Sequence, residues 1–270
     1  KTKAEAVVHH AELYGPREVK YDWLNAYDRK KTGWRELHPS PPFYLFVPRD
    51  DRLEAIYRAF PGVHDVFPLN SVGIVTARDG LTIHWSVEEV WKTVTVFSRM
   101  EPELARQGYA LGKDARDWKV VLAQKDLLDS GPTRDNIVPI LYRPFDVRHT
   151  YYTGQSRGFI CMPRPEVMQH MLAGENLALT TPKQHKDEFG AMVTEFIGAH
   201  KSVAAYDINY YSPLCLYPAT DREDLFAAHG TSERRPNLNP AVVSELAKAY
   251  GKKPTPEEIF HYIYGVLYAP

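Results

Sequence analysis

The stretch 136–159, NIVPILYRPFDVRHTYYTGQSRGF, predicts two neighbouring strands followed by a polar loop. NIVPILY and DVRHTYY are rich in β-branched and aromatic residues, which favour strands. In the second strand, Val147, His149 and Tyr151 would share one face and Arg148 would lie on the other. One face can therefore enter a core, while the other presents hydrogen-bond donors.

Helical patterns lie at both ends of the chain. Apolar residues at helical spacing predict helices over Ala4–Tyr14, Pro16–Tyr27, Pro240–Tyr250 and Pro256–Tyr268. These helices are amphipathic, so each needs a surface on which to bury its apolar face.

The middle of the chain mixes further helices with strands. Two capping boxes, Ser86–Glu89 and Thr255–Glu258, predict helix starts. Other helices are predicted over Glu101–Gly108, Ala115–Leu128 and Pro163–Ala173. VGIVT (72–76) and LTIHW (81–85) flank Arg78-Asp79-Gly80, which predicts a hairpin. Additional strands are predicted for FYLFV (43–47), GFICM (158–162), NLALTT (176–181), AMVTEFI (191–197) and PLCLYP (213–218).

These elements predict an α+β fold, with a mixed or antiparallel sheet as scaffold and amphipathic helices at both ends. A regular alternation of strands and helices, typical of parallel sheets, is absent from the pattern. We divide the chain into an N-terminal helical connector (1–33), an α/β core (34–236) and C-terminal helices (237–270) that pack on the core or on a neighbouring domain.

Composition limits the classes of function. The 270 residues are 44% hydrophobic and carry a net charge of -1, so a polyanion would have to be bound by a local basic surface. No apolar run approaches the roughly 18 residues of a membrane span, and no signal peptide opens the chain. Cys161 and Cys215 stand in apolar contexts, which favours buried, reduced thiols and a cytoplasmic protein. The chain lacks an initiator Met, and we expect it to be a fragment of a longer polypeptide.

Sequence motifs that could indicate catalysis are incomplete. Ser40-Pro41-Pro42-Phe43 matches a tetrapeptide of amino-methyltransferases, but it precedes a predicted strand instead of following one. Gly112-Lys113-Asp114 ends like a phosphate loop, yet Asp114 stands where a Mg²⁺-binding Ser or Thr is required. The adjacent His9 and His10 would point about 100° apart on a helix and could not chelate one ion. We therefore predict no catalytic residue, no metal site and no cofactor in this chain.

Polar loops after the predicted strands supply candidate DNA contacts. In Gly154–Gly158, an arginine between glycines would let the backbone approach a phosphate. Arginine and glutamine also form paired hydrogen bonds with guanine and adenine edges. If such loops converge, they would form a concave recognition surface. The predicted phosphate contacts are Arg116, Lys119, Arg157, Lys183 and Lys201. The predicted base contacts are Arg78, Arg148, Gln184, Asn209 and Tyr210.

A structural explanation of the same residues remains open. Arg148 could instead form an ion pair with Asp146, or across strands, on a solvated sheet face. Each polar loop, taken alone, could simply be solvated.

Four runs carry a resemblance to a known family: residues 67–83, 115–120, 141–172 and 254–270. They resemble the C-terminal specificity region of Type ISP restriction–modification enzymes, which are large polypeptides joining nuclease, translocase, adenine-N6 methyltransferase and target-recognition parts. The resemblance implies a mixed α/β domain that recognises a short sequence of double-stranded DNA. It implies that the neighbouring methyltransferase domain is a partner, and that S-adenosylmethionine, ATP and Mg²⁺ act in the parent enzyme.

The resemblance does not identify the residues that contact bases. The family-like runs could be scaffold, with the contacts made from loops such as Pro182–Glu188 and His200–Tyr211. A second hypothesis is a structural coupler, in which the terminal helices and IFHYIYGVLY (259–268) dock on the methyltransferase and DNA contact is incidental. A third is an independent enzyme.

Overall fold

The computed structural model describes residues 6–41, 43–50, 52–184, 190–204, 207–218 and 234–268. By internal contacts, the chain divides into unit 1, residues 1–60, and unit 2, residues 61–270. The three-part division at residues 33 and 236 is a different, functional division, and it stays a prediction.

Unit 1 consists of short elements, and its described residues form no buried core. Its elements are β1 (Val8–His10), α1 (Arg17–Ala26), β2 (Arg35–Leu37) and α2 (Glu54–Arg58). β1 and β2 form an antiparallel pair, with Val8 opposite Leu37. None of the described residues of unit 1 is buried.

Two sequence predictions in unit 1 are wrong and one is confirmed. The described part of Ala4–Tyr14 contains strand β1 instead of a helix, because residues 8–10 pair with β2. FYLFV is not a strand: Tyr44 has a φ of 48°, which is incompatible with extended backbone. The predicted helix after Pro16 is present as α1.

Unit 2 contains helices and strands throughout its length. Its helices are α3 (Val63–Val66), α4 (Asp79–Thr82), α5 (Val87–Phe97), α6 (Pro102–Gly108), α7 (Val120–Asp129), α8 (Pro165–Leu172), α9 (Pro240–Tyr250) and α10 (Pro256–Tyr268). A 3₁₀ turn spans Arg134–Asn136. Its strands are β3 (Ser71–Val72), β4 (Ile137–Arg143), β5 (Asp146–Tyr151), β6 (Ala178–Pro182), β7 (Met192–Thr194), β8 (Ile197–Gly198), β9 (Asn209–Pro213), β10 (Cys215–Leu216) and β11 (Arg235–Pro236).

Two sheets form the scaffold of unit 2. One has the order β3-β9-β6-β7 and is antiparallel throughout. The other has the order β5-β4-β8, in which β4 and β5 are antiparallel and β4 and β8 are parallel. β10 and β11 form a separate pair. The α+β class with mixed and antiparallel sheets is confirmed.

The strongest local signals predicted the structure correctly. The two strands predicted over NIVPILY and DVRHTYY are present as β4 and β5, and they pair antiparallel with Ile140 opposite Arg148. In the capping box of α5, the Glu89 N–H donates to the Ser86 hydroxyl over 3.3 Å, and the Ser86 N–H donates to the Glu89 carboxylate over 3.1 Å. The box at Thr255 and Glu258 forms in the same way at the start of α10.

The hairpin predicted around Arg78-Asp79-Gly80 is wrong. Residues 79–82 form α4, and the two flanking runs pair with distant segments instead of with each other. Val75 bridges to Met162, and His84 bridges to His149. The strand predicted for GFICM (158–162) is also wrong, because this run contributes only the isolated bridge from Met162 to Val75. Long-range pairing has therefore overridden a strong local turn signal.

Two clusters of buried side chains form the core of unit 2. The larger one contains Trp118, Phe97, Phe159 and Tyr151, all at most 1% exposed. The second joins Val66, Phe67 and Leu179 to Ile259 and Phe260 of α10. Both cysteines are free and buried, as predicted. No described helix is long and apolar enough to cross a membrane.

Candidate nucleic-acid interface

The first polar surface of unit 2 is a stack of aromatic and guanidinium groups at β4 and β5, here called the Trp85 group: Trp85, Tyr142, Arg143 and Arg148. The Cζ atom of Arg148 lies 3.8 Å from the centroid of the Trp85 ring and 4.5 Å from that of Tyr142. Arg143 lies over Tyr142, with Cζ 3.9 Å from the ring centroid. Cations at such distances are attracted to the negative faces of the rings.

Arg148 is held firmly within this group. Its Nε donates to Asp146 over 3.0 Å, and a terminal nitrogen donates to the same carboxylate over 2.8 Å. The ion pair that the sequence left open is therefore present. Because the Arg148 side chain is only 22% exposed, its guanidinium has little surface left for an external partner.

Arg143 is the more accessible cation of the Trp85 group. Its side chain is 37% exposed and lies 3.8 Å from Asp79. The Tyr142 hydroxyl donates to the same aspartate over 2.8 Å. Burial, together with this hydrogen bond to Asp79, raises the pKa of Tyr142, so the phenol remains a neutral donor. Two aromatic residues of this part of the chain are strongly exposed, Trp85 at 67% and Phe145 at 91%.

A second group of arginines lies near Cys161 and Asp117 and is here called the Cys161 group: Arg78, Arg116, Arg157 and Arg164, with Asp117. Burial raises the pKa of the Cys161 thiol and Asp117 raises it further, while the charges of Arg78, Arg157 and Arg164 lower it. Asp117 lies 3.1 Å from Arg116 and 3.9 Å from Arg157. Three predicted contacts, Arg78, Arg116 and Arg157, are thus brought together.

The members of the Cys161 group differ in accessibility. The side chains of Arg116 and Arg157 are 90% and 64% exposed, respectively. Arg78 is half-buried over the Trp118 ring, at 4.9 Å from its centroid, and donates to the Lys113 carbonyl over 3.0 Å. Arg78 is therefore better placed to hold the segment before α4 than to contact a ligand.

The two arginine groups are linked through residues 78 and 79. Arg78 belongs to the Cys161 group, while its neighbour Asp79 pairs with Arg143 of the Trp85 group. His200 lies close to the same place: burial lowers its pKa, the Ile74 carbonyl opposes that effect, and the charges of Lys201, Asp79 and Arg143 act on it more weakly. Lys201 follows His200 in the sequence and is half-buried.

Lys183 and Tyr210 form a third polar surface, where β6 ends and the antiparallel β9 begins. The Lys183 Nζ lies 6.0 Å from the centroid of the Tyr210 ring. Both side chains line an open pocket together with His64, Asn70 and Thr181. The exposed Gln184 follows, and residues 185–189 of the predicted loop lie outside the described residues.

The prediction that Asn209 and Tyr210 lie in a loop before a strand is wrong, because both belong to β9. Asn209 is 0% exposed, and its side-chain oxygen accepts from the Val203 N–H over 2.7 Å. A buried amide used in this way cannot reach a base edge. Asn209 therefore leaves the set of candidate base contacts.

Lys119 is exposed and precedes the first residue of α7. The hydrogen bond from Arg106 holds the pKa of Asp114 below its usual range, and Lys119 contributes only weakly. Arg106 donates to both the Gly112 carbonyl and the Asp114 carboxylate, over 2.8 and 2.9 Å. This arrangement does not fit a phosphate loop, in which those groups would face a nucleotide.

Sequence reasoning missed Trp85, Arg143 and Phe145. Arg143 and Phe145 lie in the stretch 136–159, where the alternation of the second predicted strand favours Arg148 instead. Trp85 was assigned to a hairpin strand. The signal that could have found them is the density of arginine and aromatic residues between 142 and 148.

Comparison with known proteins assigns the family. Residues 65–270 match the model of the Type ISP C-terminal specificity domain. The chain belongs to this family. The match covers nearly all of unit 2, so both arginine groups lie inside the specificity domain. No curated protein matches the chain significantly.

Solved structures support the fold of this specificity domain. It is similar to part of the DrdV–DNA complex, with a TM-score of 0.61 and 18% identity, covering 93% of this chain and 25% of that one. A nuclease-deletion mutant of the Type ISP restriction–modification enzyme LlaGI, in complex with a DNA substrate mimic, is similar with a TM-score of 0.57 and 16% identity. This match covers 93% of this chain and 20% of that one. The ATP-dependent Type ISP restriction–modification enzyme LlaBIII bound to DNA is similar with a TM-score of 0.59 and 15% identity, and the match covers 87% of this chain and 15% of that one. This chain spans a quarter or less of the length of each of the protein chains that it matches.

Proposed function

We propose that this specificity domain recognises a target sequence in double-stranded DNA through the exposed side chains of unit 2. The observation that carries the proposal is the family match over residues 65–270, which coincides with the unit that holds both arginine groups. The similar solved structures are complexes with DNA, which supports the same partner.

The electrostatics of unit 2 fit such a partner. The net charge of the chain is only -1, so attraction to DNA has to be local. Arg116 and Arg157 expose most of their guanidinium groups, and Lys183 is exposed beside Tyr210. Exposed cations can contact DNA phosphates or base edges, whereas the half-buried Arg78 and Arg148 suit support of the surface.

We further propose that the chain acts within a longer restriction–modification polypeptide in the cytoplasm. Adenine-N6 methylation and ATP-dependent translocation and cleavage would take place in other parts, which would hold S-adenosylmethionine, ATP and Mg²⁺. The chain itself would supply recognition and no catalytic residue. The hydrogen bonds of Arg106 to Gly112 and Asp114 agree with this, since they occupy the segment that most resembles a nucleotide loop.

The direct test is a selection from a pool of randomised DNA duplexes with the full chain, followed by binding measurements at several salt concentrations. We expect one enriched sequence and an affinity that falls steeply with salt. Replacing Arg116 with alanine should weaken all duplexes alike and reduce the salt slope by about one. No enrichment together with salt-independent binding would rule out the proposal.

Unit 1 favours a second function, docking on the methyltransferase part of the same polypeptide. α1 buries no residue, and Val19, Tyr21 and Leu24 are each more than half exposed. Apolar surface of this kind is typical of interaction sites.

A domain exchange between two relatives separates the two functions. If residues 61–270 recognise DNA, exchanging them should change the sequence methylated in cells, as measured by methylome sequencing. If the methylated sequence follows the rest of the polypeptide instead, the chain acts as a coupler.

A further inference from the structure

Asp126 of α7 is an unusual carboxylate in the core of unit 2. Asp126 is 6% exposed, and no other aspartate or glutamate among the described residues is buried. Its hydrogen-bond partners in the described part of the chain are neutral groups. Burial raises the pKa of Asp126, and the hydrogen bonds only partly oppose this effect. A carboxylate in such a place is costly unless it has a structural or functional task.

One oxygen of Asp126 connects the two ends of a surface loop, residues 153–159, here called the Thr153 loop. Oδ2 accepts from the Thr153 hydroxyl over 3.0 Å at the first residue of the loop. It also accepts from the Phe159 N–H over 2.8 Å at the last residue. The Thr153 hydroxyl oxygen in turn accepts from the Gln155 N–H over 3.2 Å, which also fixes the backbone at Gln155. Hydrogen bonds to a charged acceptor are stronger than those between neutral groups.

The backbone of the Thr153 loop is shaped around this carboxylate. Gly158 lies so close that a Cβ atom there would overlap the carboxyl group of Asp126. Phe159 is buried, and its carbonyl accepts from the Trp118 Nε1 over 3.2 Å. The Arg157 N–H donates to the Cys161 carbonyl over 2.9 Å. The loop is therefore fixed on both sides and free only at its tip.

The tip presents three exposed residues, Gln155, Ser156 and Arg157. Arg157 has a φ of 60°, in the left-handed region that is unfavourable for residues other than glycine. Strained backbone of this kind persists where the surrounding contacts impose it, and it is frequent at functional sites. Arginine and glutamine are the side chains that form paired hydrogen bonds with guanine and adenine in the major groove.

We propose that Asp126 is a positioning residue that holds the Thr153 loop so that Gln155 and Arg157 contact the bases of a DNA duplex. The proposal rests on the function proposed above and adds which element reads the sequence. It also explains why a buried carboxylate and a glycine face each other at this place.

The test uses the full chain and the duplex that it enriches from a randomised pool, with a scrambled duplex as reference. Replacing Arg157 with alanine should weaken binding to the enriched duplex about tenfold, and the scrambled duplex much less. Asp126→Ala should weaken it to a similar degree, because the loop loses both anchors. Asp126→Asn should restore binding to within about twofold, since its amide oxygen can still accept both hydrogen bonds.

Positioning predicts that the two changes are not independent. The double variant Asp126→Ala/Arg157→Ala should bind no more than about twofold more weakly than the weaker single variant. Hydrogen exchange of the Gln155 and Phe159 amides should rise in Asp126→Ala, while the α7 amides stay protected. If the two losses multiply, Asp126 acts only through stability and the proposal is overturned.

Two further outcomes separate this proposal from the proposed function. If alanine at both Gln155 and Arg157 leaves the affinity unchanged while Arg143→Ala lowers it, DNA recognition stands and the Thr153 loop is not the reading element. If the unaltered chain enriches no duplex, both proposals fail.

A second variant keeps the test decisive if Asp126→Ala does not fold. Thr153→Val removes the hydroxyl at one end of the loop and leaves the carboxylate in place, and Thr153→Ser keeps the hydroxyl as the matched control. The valine variant should show weaker binding to the enriched duplex and the serine variant unchanged binding. Equal binding by both would overturn the proposal.

Discussion

In unit 2, the fully buried ring of Phe97 packs against the buried Phe159 and the partly buried Tyr109, with centroids 6.2 and 5.6 Å away. In unit 1, Trp23 and Tyr27 also stack, with centroids 4.9 Å apart, but they do so on a helix without a buried residue. Both regions are rich in aromatic residues. The difference shows that an amphipathic pattern predicts an apolar helix face that needs a packing partner. The pattern does not predict whether the same unit provides that partner.

The largest effect that follows from this comparison concerns matched truncations in the two units. Phe97→Ala should lower the free energy of unfolding by about 3–5 kcal/mol, because it removes a fully buried ring and leaves a cavity. Leu24→Ala in α1, where the side chain is 61% exposed, should change it by less than about 0.5 kcal/mol. Urea unfolding of both variants gives the measurement. Equal losses would contradict the difference between the units.

Glycine substitutions provide the next comparison. A Cβ atom at Gly198 would overlap the phenol of the fully buried Tyr211, so Gly198→Ala should cost about 1–3 kcal/mol through overpacking. A Cβ atom at Gly33 would meet nothing within 4 Å, and Gly33→Ala should stay within about 0.5 kcal/mol of the parent. Thermal unfolding distinguishes them, and a tolerated Gly198→Ala would show that the core of unit 2 is looser than described.

Separation of the units gives a smaller expected effect on DNA binding. Because both core clusters lie within residues 61–270, this fragment should fold alone and bind the enriched duplex within about threefold of the full chain, or about 0.7 kcal/mol. Circular dichroism and a binding titration test the two parts of the prediction. A folded fragment that has lost more than about tenfold in affinity would assign DNA contacts to unit 1.

The smallest expected effect is the pH dependence of Asp126, the carboxylate in the core of unit 2. Its pKa is raised by burial, so the folded state binds the proton more tightly than the unfolded state. The protonated carboxyl is therefore tolerated in the folded state below the pKa that Asp126 has in the unfolded chain. As the pH rises through the raised pKa of the folded state, the carboxyl becomes charged and the free energy of unfolding falls. Asp126→Asn should therefore gain stability relative to the parent as the pH rises above about 4, the ordinary pKa of an aspartate, measured as the difference in melting temperature. A difference independent of pH would show that the carboxyl has its ordinary pKa.

The sequence predicted the fold best where local and long-range preferences agree. β4 and β5 are neighbours in sequence and pair with each other, and α5 carries its own capping box. The hairpin around Asp79 failed because Val75 and His84 found partners at Met162 and His149. Such partners lie far along the chain, and no local pattern encodes them.

The candidate site was predicted in part. Arginines that are distant in sequence, such as Arg78 and Arg157, do gather around Cys161. The loop placement of Asn209 was wrong, because the pairing of β9 with β6 buries it. Asp126 gave no signal at all, since an aspartate in a helix looks like a solvated residue until the loop that binds to it is known.

The second core cluster has a consequence for the synthesis of the protein. Phe67, near the start of unit 2, packs on Phe260 of α10, with ring centroids 6.0 Å apart. The Asn237 amide also donates to the Leu69 carbonyl over 2.7 Å. A ribosome must therefore translate almost the whole unit before Phe67 can be covered. During that interval the nascent chain exposes one half of an unfinished core, and we expect it to be more prone to aggregation than a unit closed by neighbouring segments.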